Sequence, residues 1–111
     1  METIGRGMWY TLHLMAAKGQ LEELMRLLIF LSENMHCGEC RRHLKSFLSR
    51  TVHIWKRVHD AERALYYTWY LHQLVNKRTH KENMSFEDVK EFYLNHDEKS
   101  EECSNVCTEN S

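Results

Sequence analysis

A chain of 111 residues with 42% hydrophobic content has room for one folded domain and little else. Fifteen basic residues stand against sixteen acidic ones, a formal charge of −1 that offers no field for wrapping nucleic acid or coating an anionic membrane, so neither partner is expected. The longest apolar stretch, around Leu21–Leu31, is broken by Glu22, Glu23 and Arg26, and Met1–Tyr10 lacks the charged-then-apolar order of a secretory signal, so a cytoplasmic protein with no transmembrane segment is expected.

There is no proline, the glycines (Gly5, Gly7, Gly19, Gly38) all lie early in the chain, and no segment alternates as a half-buried strand does. The pattern predicts an all-α domain. A first helix is expected from about Met8 to Lys18, entered through a flexible Gly5–Gly7 turn, with Trp9, Leu12, His13 and Ala16 on one face and Gly19 as its stop. A second follows at once, with Leu21, Leu24, Met25, Leu28 and Leu31 at three-to-four spacing. So short a connection predicts a hairpin of the two, and their Leu- and Met-rich faces suit either a core or a dimer seam. A third helix begins at the first cysteine pair and buries Cys40, Leu44, Phe47 and Leu48; its end is poorly signalled between Ser49 and His59. Asp60 reads as the cap of a fourth, which carries Leu65, Trp69, His72 and Asn76 on one stripe. Ser85 with Asp88 resembles a capping box opening a short fifth helix, with Phe86, Val89 and Tyr93 inward. The folded domain is therefore expected over residues 1–96, with 97–111 a polar, mobile tail.

The cysteines form two close pairs, Cys37/Cys40 and Cys103/Cys107. In the first turn of a helix, residues three apart share a face, so the sulfurs of Cys37 and Cys40 can close a disulfide. Unpaired N–H groups and the helix dipole stabilise a thiolate there, and Arg41, Arg42 and His43 add positive charge downstream. A reactive dithiol fits this position. Two other readings stay open on the residues alone: a pair of zinc ligands in a non-enzymatic, zinc-stabilised helical interaction module, and inert buried cysteines. A thioredoxin-like fold would need strands that the sequence lacks.

Three blocks narrow these alternatives: Gly5-Arg6-Gly7-Met8-Trp9-Tyr10-Thr11-Leu12-His13, Cys37-Gly38-Glu39-Cys40-Arg41-Arg42-His43 and Leu71-His72-Gln73-Leu74-Val75-Asn76-Lys77-Arg78. Their order and spacing resemble the Erv/ALR family of FAD-linked sulfhydryl oxidases, over roughly residues 4–95, and look closest to the short members encoded by large cytoplasmic DNA viruses. The resemblance implies a four-helix bundle with a short fifth helix, FAD beside the Cys-x-x-Cys pair, and a place of action in the host cytoplasm or virion. It implies that Arg6, Trp9 and His13 contact FAD from the first helix, and His72, Val75 and Asn76 from the fourth, with Lys77 or Arg78 facing the phosphates. Cys40 matches the flavin-proximal cysteine and Cys37 the one that exchanges with substrate. The partners it implies are thiol-containing proteins, a thioredoxin-like or small dithiol carrier, and molecular oxygen reduced to hydrogen peroxide, with the chain as a homodimer. Cys103 and Cys107 would then be a shuttle disulfide that relays electrons to the active pair, a structural bridge, or two surface thiols. The chain departs from the family pattern at Met35-His36, where an aromatic–proline pair is usual, at Gln73, where Asn is usual, and at Thr79.

Overall fold

Helix formation starts earlier than the Gly5–Gly7 pair suggests. In the computed structural model, which describes residues 5–95, α1 spans Arg6–Ala17 and takes Gly7 into its first turn, with Gly5 at the N-cap. The helix ends in a Schellman motif. Gly19 has φ +74°, its N–H donates to the Ala16 carbonyl at 3.1 Å, and the Gln20 N–H donates to the Met15 carbonyl at 2.9 Å. A residue without Cβ adopts that φ at no steric cost, and the chain enters α2, Leu21–Asn34, immediately afterwards.

The apolar stripe read from α2 is the buried one: Leu24, Leu28 and Leu31 meet Leu12 and Ala16 of α1 in one core. Ile29 and Phe30, on the other side of α2, are exposed. α3 spans Gly38–Arg50 and contributes Leu44 and Phe47 to the core. The uncertain stretch after it resolves at Thr51. The Thr51 hydroxyl donates to the Phe47 carbonyl at 2.7 Å and so accepts from the Tyr67 hydroxyl, also at 2.7 Å. Burial pushes the Tyr67 phenol up, which keeps it a donor, although the bond to Thr51 opposes the shift. A one-turn helix, α4, Val52–Trp55, follows that anchor.

α5, Ala61–Thr79, is the longest described helix, and the Asp60 side chain caps it by accepting the Arg63 N–H at 2.8 Å. It ends without glycine or proline: His80 takes the left-handed region at φ 62°, and the Lys81 N–H turns back to the Asn76 carbonyl at 2.9 Å. α6, Phe86–Leu94, starts at Ser85, whose hydroxyl accepts the Asp88 N–H at 3.1 Å.

α1 lies along α5, α2 packs on α3, and α6 closes against α1 and α5. The all-α expectation is met: α1, α2, α3 and α5 make the bundle, α6 is the short fifth helix, and α4 is a turn that the sequence did not announce. None of the described helices is long and apolar enough to cross a membrane. The Cys103/Cys107 pair and the expected tail lie outside the described residues.

Candidate active site

The chain bends between α2 and α3 at Met35, whose side chain is buried in the core and whose carbonyl accepts from the Arg41 guanidinium. Arg41 thereby folds back over the bend and approaches Gly38, placing a permanent cation beside the start of α3. Cys37 is the N-cap of that helix, and its sulfur accepts the Cys40 N–H at 3.1 Å. Cys37 and Cys40 are joined as a disulfide, with Cα atoms 5.1 Å apart. The backbone at a helix start thus donates to one sulfur of the pair, the arrangement that favours negative charge on it after reduction.

Across from the disulfide, α1 and α5 present a stack of flat rings. The Trp9 ring lies on His72 with centroids 3.8 Å apart and planes 7° from parallel. Behind them His13 is buried, its Nε2 3.1 Å from His72 Nδ1 and its Nδ1 2.9 Å from the Thr68 hydroxyl. Burial pushes the His13 imidazole down to about 3, with His72 adding to the shift. Burial likewise, with Lys81 adding, pushes His72 down to about 4. Both rings are therefore neutral at ordinary pH.

The third wall is the loop between α5 and α6, which three α5 side chains hold in place. The Asn76 amide donates to the Glu82 carbonyl at 3.2 Å, the Trp69 indole N–H donates to the Met84 carbonyl at 2.6 Å, and the Gln73 amide oxygen accepts the Met84 N–H at 3.4 Å.

Together these walls enclose an open cleft of about 840 Å³. Cys37, Cys40, Trp9 and His72 line it, with Leu44, Phe47, Leu71, Leu74 and Val75 as apolar surface and Arg6, Arg50, Arg78 and Lys81 as cations against Glu39 and Glu82. Of the residues singled out in the sequence, Arg6, Trp9, Cys37, Cys40, His72, Val75, Asn76 and Arg78 come together here. Two do not. His13 stands behind His72 rather than on the cleft surface, one turn beyond Trp9 on the same face of α1, where it meets Thr68 and His72 of α5. Lys77 is exposed and outside the lining, so of the Lys77–Arg78 pair it is Arg78 that reaches the cleft. Trp69, on the same expected stripe, packs instead on Tyr66 and Phe86.

Leu44 and Phe47 were placed in the core but not in the site, although they follow Cys40 by one and two helical turns and share its face. Arg50, Lys81 and Glu82 carried no comparable signal, since the loop that holds the last two is positioned by side chains of α5. Cys37 and Cys40 are bonded to each other rather than held apart as metal ligands, and the second cysteine pair that a zinc site would draw on lies outside the described residues.

A disulfide at a helix start and a stack of flat rings thus line one cation-rimmed cleft. The Erv1 / Alr family sequence model matches residues 6–94, all six helices. The chain belongs to the Erv1 / Alr family. It is also 31% identical, over 97 residues, to the FAD-linked sulfhydryl oxidase of African swine fever virus isolate Tick/Malawi/Lil 20-1/1983, covering 80% of this chain and 78% of that protein. The protein of the same description from isolate Pig/Kenya/KEN-50/1950 is 30% identical over the same shares. No solved structure matches the chain significantly.

Proposed function

We propose that this Erv1 / Alr member is an FAD-linked sulfhydryl oxidase that forms disulfides in thiol substrates, with FAD held in the cleft between α1, α3 and α5 against the Cys37–Cys40 pair. The donor set fits the cofactor. Trp9 and His72 offer a flat aromatic surface, Leu44, Phe47, Leu71 and Val75 an apolar wall, and Arg6, Arg78 and Lys81 the charges a pyrophosphate needs. The cleft volume of about 840 Å³ lies within the range of small-molecule and cofactor sites.

When bound, FAD supplies a two-electron acceptor from which electrons pass to oxygen, giving hydrogen peroxide. The chain's own residues carry out the thiol chemistry. A substrate thiolate attacks the Cys37 sulfur; a new sulfur–sulfur bond forms, the Cys37–Cys40 bond breaks, and Cys40 leaves as a thiolate. A second substrate thiolate attacks the substrate sulfur of that mixed disulfide, and Cys37 leaves. The Cys40 N–H, 3.1 Å from the Cys37 sulfur, stabilises the charge that this departure creates. Two substrate thiols have then lost two electrons and two protons, and the pair on the protein is reduced. Cys40 lines the cleft on the same face of α3 as Leu44 and Phe47, one and two turns before them, and would be the member of the pair to pass electrons on to FAD. Arg41 holds the Met35 carbonyl and keeps the bend that aims both cysteines at the cleft.

The observation that carries this function is the Cys37–Cys40 disulfide on the wall of the cleft that Trp9 and His72 line. Purified protein should be yellow with a flavin absorbance and should consume oxygen when given dithiothreitol. Cys40→Ser should keep the colour and lose oxygen consumption. A colourless protein, or a Cys40→Ser variant as active as the parent, would refute the assignment.

A further inference from the structure

Between α1 and α5 runs a line of buried hydrogen bonds whose protons can be counted. Its inner end is the Leu65 carbonyl, which can only accept. The Thr68 hydroxyl donates to it at 3.0 Å, and that uses the only hydrogen the hydroxyl has. Toward His13 Nδ1, 2.9 Å away, Thr68 must therefore accept, so His13 carries its proton on Nδ1. A neutral ring holds one such proton, which leaves His13 Nε2 as a lone pair. The contact at 3.1 Å between that atom and His72 Nδ1 is then a bond donated by His72. His72 in turn has no proton left for Nε2. Running the line the other way leaves the Thr68–Leu65 contact without a hydrogen in a region where both Thr68 and Leu65 are fully buried. A charged His13 or His72 would also break the count, and burial holds both rings neutral.

We propose that Thr68 and His13 are positioning residues that hold His72 with its proton on Nδ1, so that the ring meets a ligand in the cleft through Nε2 as a hydrogen-bond acceptor. As a statement about FAD this rests on the function proposed above; as a statement about the His72 tautomer it does not. The chemical consequence is selective. A histidine beside a dinucleotide can serve phosphate only through an N–H, and His72 has none to offer in this direction. It recognises instead a group that donates, such as the amino, imide or hydroxyl groups of FAD, and leaves the phosphates to the cleft's arginines, Arg6 and Arg78 among them. Thr68 lines no part of the cleft, yet it decides what the cleft asks of its ligand.

The tautomer is read directly in the full chain by long-range proton–nitrogen NMR at neutral pH with ¹⁵N-histidine, His72 being assigned by the signals that vanish in His72→Gln. Flavin-free wild type should show His72 protonated on Nδ1 and bare on Nε2, the form that free histidine disfavours in water. Thr68→Val keeps the shape and removes the acceptor. His72 should then become a mixture of tautomers, and FAD affinity measured by calorimetry should fall about tenfold, the effect of one lost hydrogen bond. Thr68→Ser should restore both. Wild-type His72 protonated on Nε2 overturns the proposal, as does Thr68→Val with tautomer and affinity unchanged. Should Thr68→Val not fold, the wild-type and Thr68→Ser spectra decide by themselves. A wild type that binds no FAD refutes the oxidase assignment, while its His72 signals still decide the proton count.

Discussion

His13 and His72 couple folding to acidity at the seam between α1 and α5. Each is held below its ordinary value of 6.5, His13 at about 3 and His72 at about 4, mainly by burial. Below pH 6.5 the unfolded chain therefore binds protons that the folded chain refuses, and stability must fall with acid. The contribution is whole above the unfolded value of 6.5, shrinks as the pH drops below it, and is lost as the pH passes through about 4 for His72 and about 3 for His13. Thermal melts of the flavin-free protein should show Tm falling between about pH 7 and about pH 4.5. His13→Gln should start lower at neutral pH, having lost a packed ring, and should show a shallower fall. An equally steep fall in that variant would mean that other groups carry the acid sensitivity. At this scale the sequence showed that Trp9 and His13 share a face of α1 and that His72 belongs with Asn76. It could not show that His13 backs His72, because that depends on Thr68 lying opposite, 55 residues along the chain from His13.

The elements that were legible are those whose signals are local. The α2 stripe, the Asp60 cap and the Ser85 cap each lie within a few residues of the backbone they organise, and each is found where the sequence put it. α4 was not legible because Thr51 is fixed by Tyr67, 16 residues away and on another helix. The end of α5 was missed for a related reason: His80 takes a left-handed conformation without being glycine, and the loop it opens is held by Asn76, Trp69 and Gln73. Two substitutions test the local devices against each other. Asp60→Ala removes the acceptor for the Arg63 N–H and should cost about 1 kcal/mol. Gly19→Ala places a Cβ in open space but at φ +74°, so its cost, about 1 kcal/mol, comes from the backbone alone. Urea titrations of the flavin-free protein should show both losses, and they should add in the double variant, since the sites share no partner. A Gly19→Ala variant as stable as the parent would mean that the α1–α2 turn relaxes rather than resists.

At the scale of the whole molecule, the cleft draws its walls from the N-terminal turn of α1, from α3, from α5 and from the loop before α6. A domain of this size buries only about two-thirds of the surface its unfolded chain exposes, so its own core leaves it marginal. A ligand that touches three helices and a loop binds the folded chain and has no site on the unfolded one. At a free concentration about a hundredfold above Kd it adds about 2.7 kcal/mol. For a domain of this length that converts to a rise in Tm of roughly 10–20 °C. Melts with and without FAD should show a rise of that order, and the rise should grow with the logarithm of FAD concentration. Arg78→Ala separates binding from folding, because Arg78 is exposed yet lines the cleft. Its flavin-free Tm should match the parent's, while the FAD-induced rise should shrink by the equivalent of about 1–2 kcal/mol, the value of one charge-assisted contact. If the variant kept the full rise, the phosphates would have to be held elsewhere on the rim, with Arg6, Arg50 and Lys81 as the remaining cations to carry them.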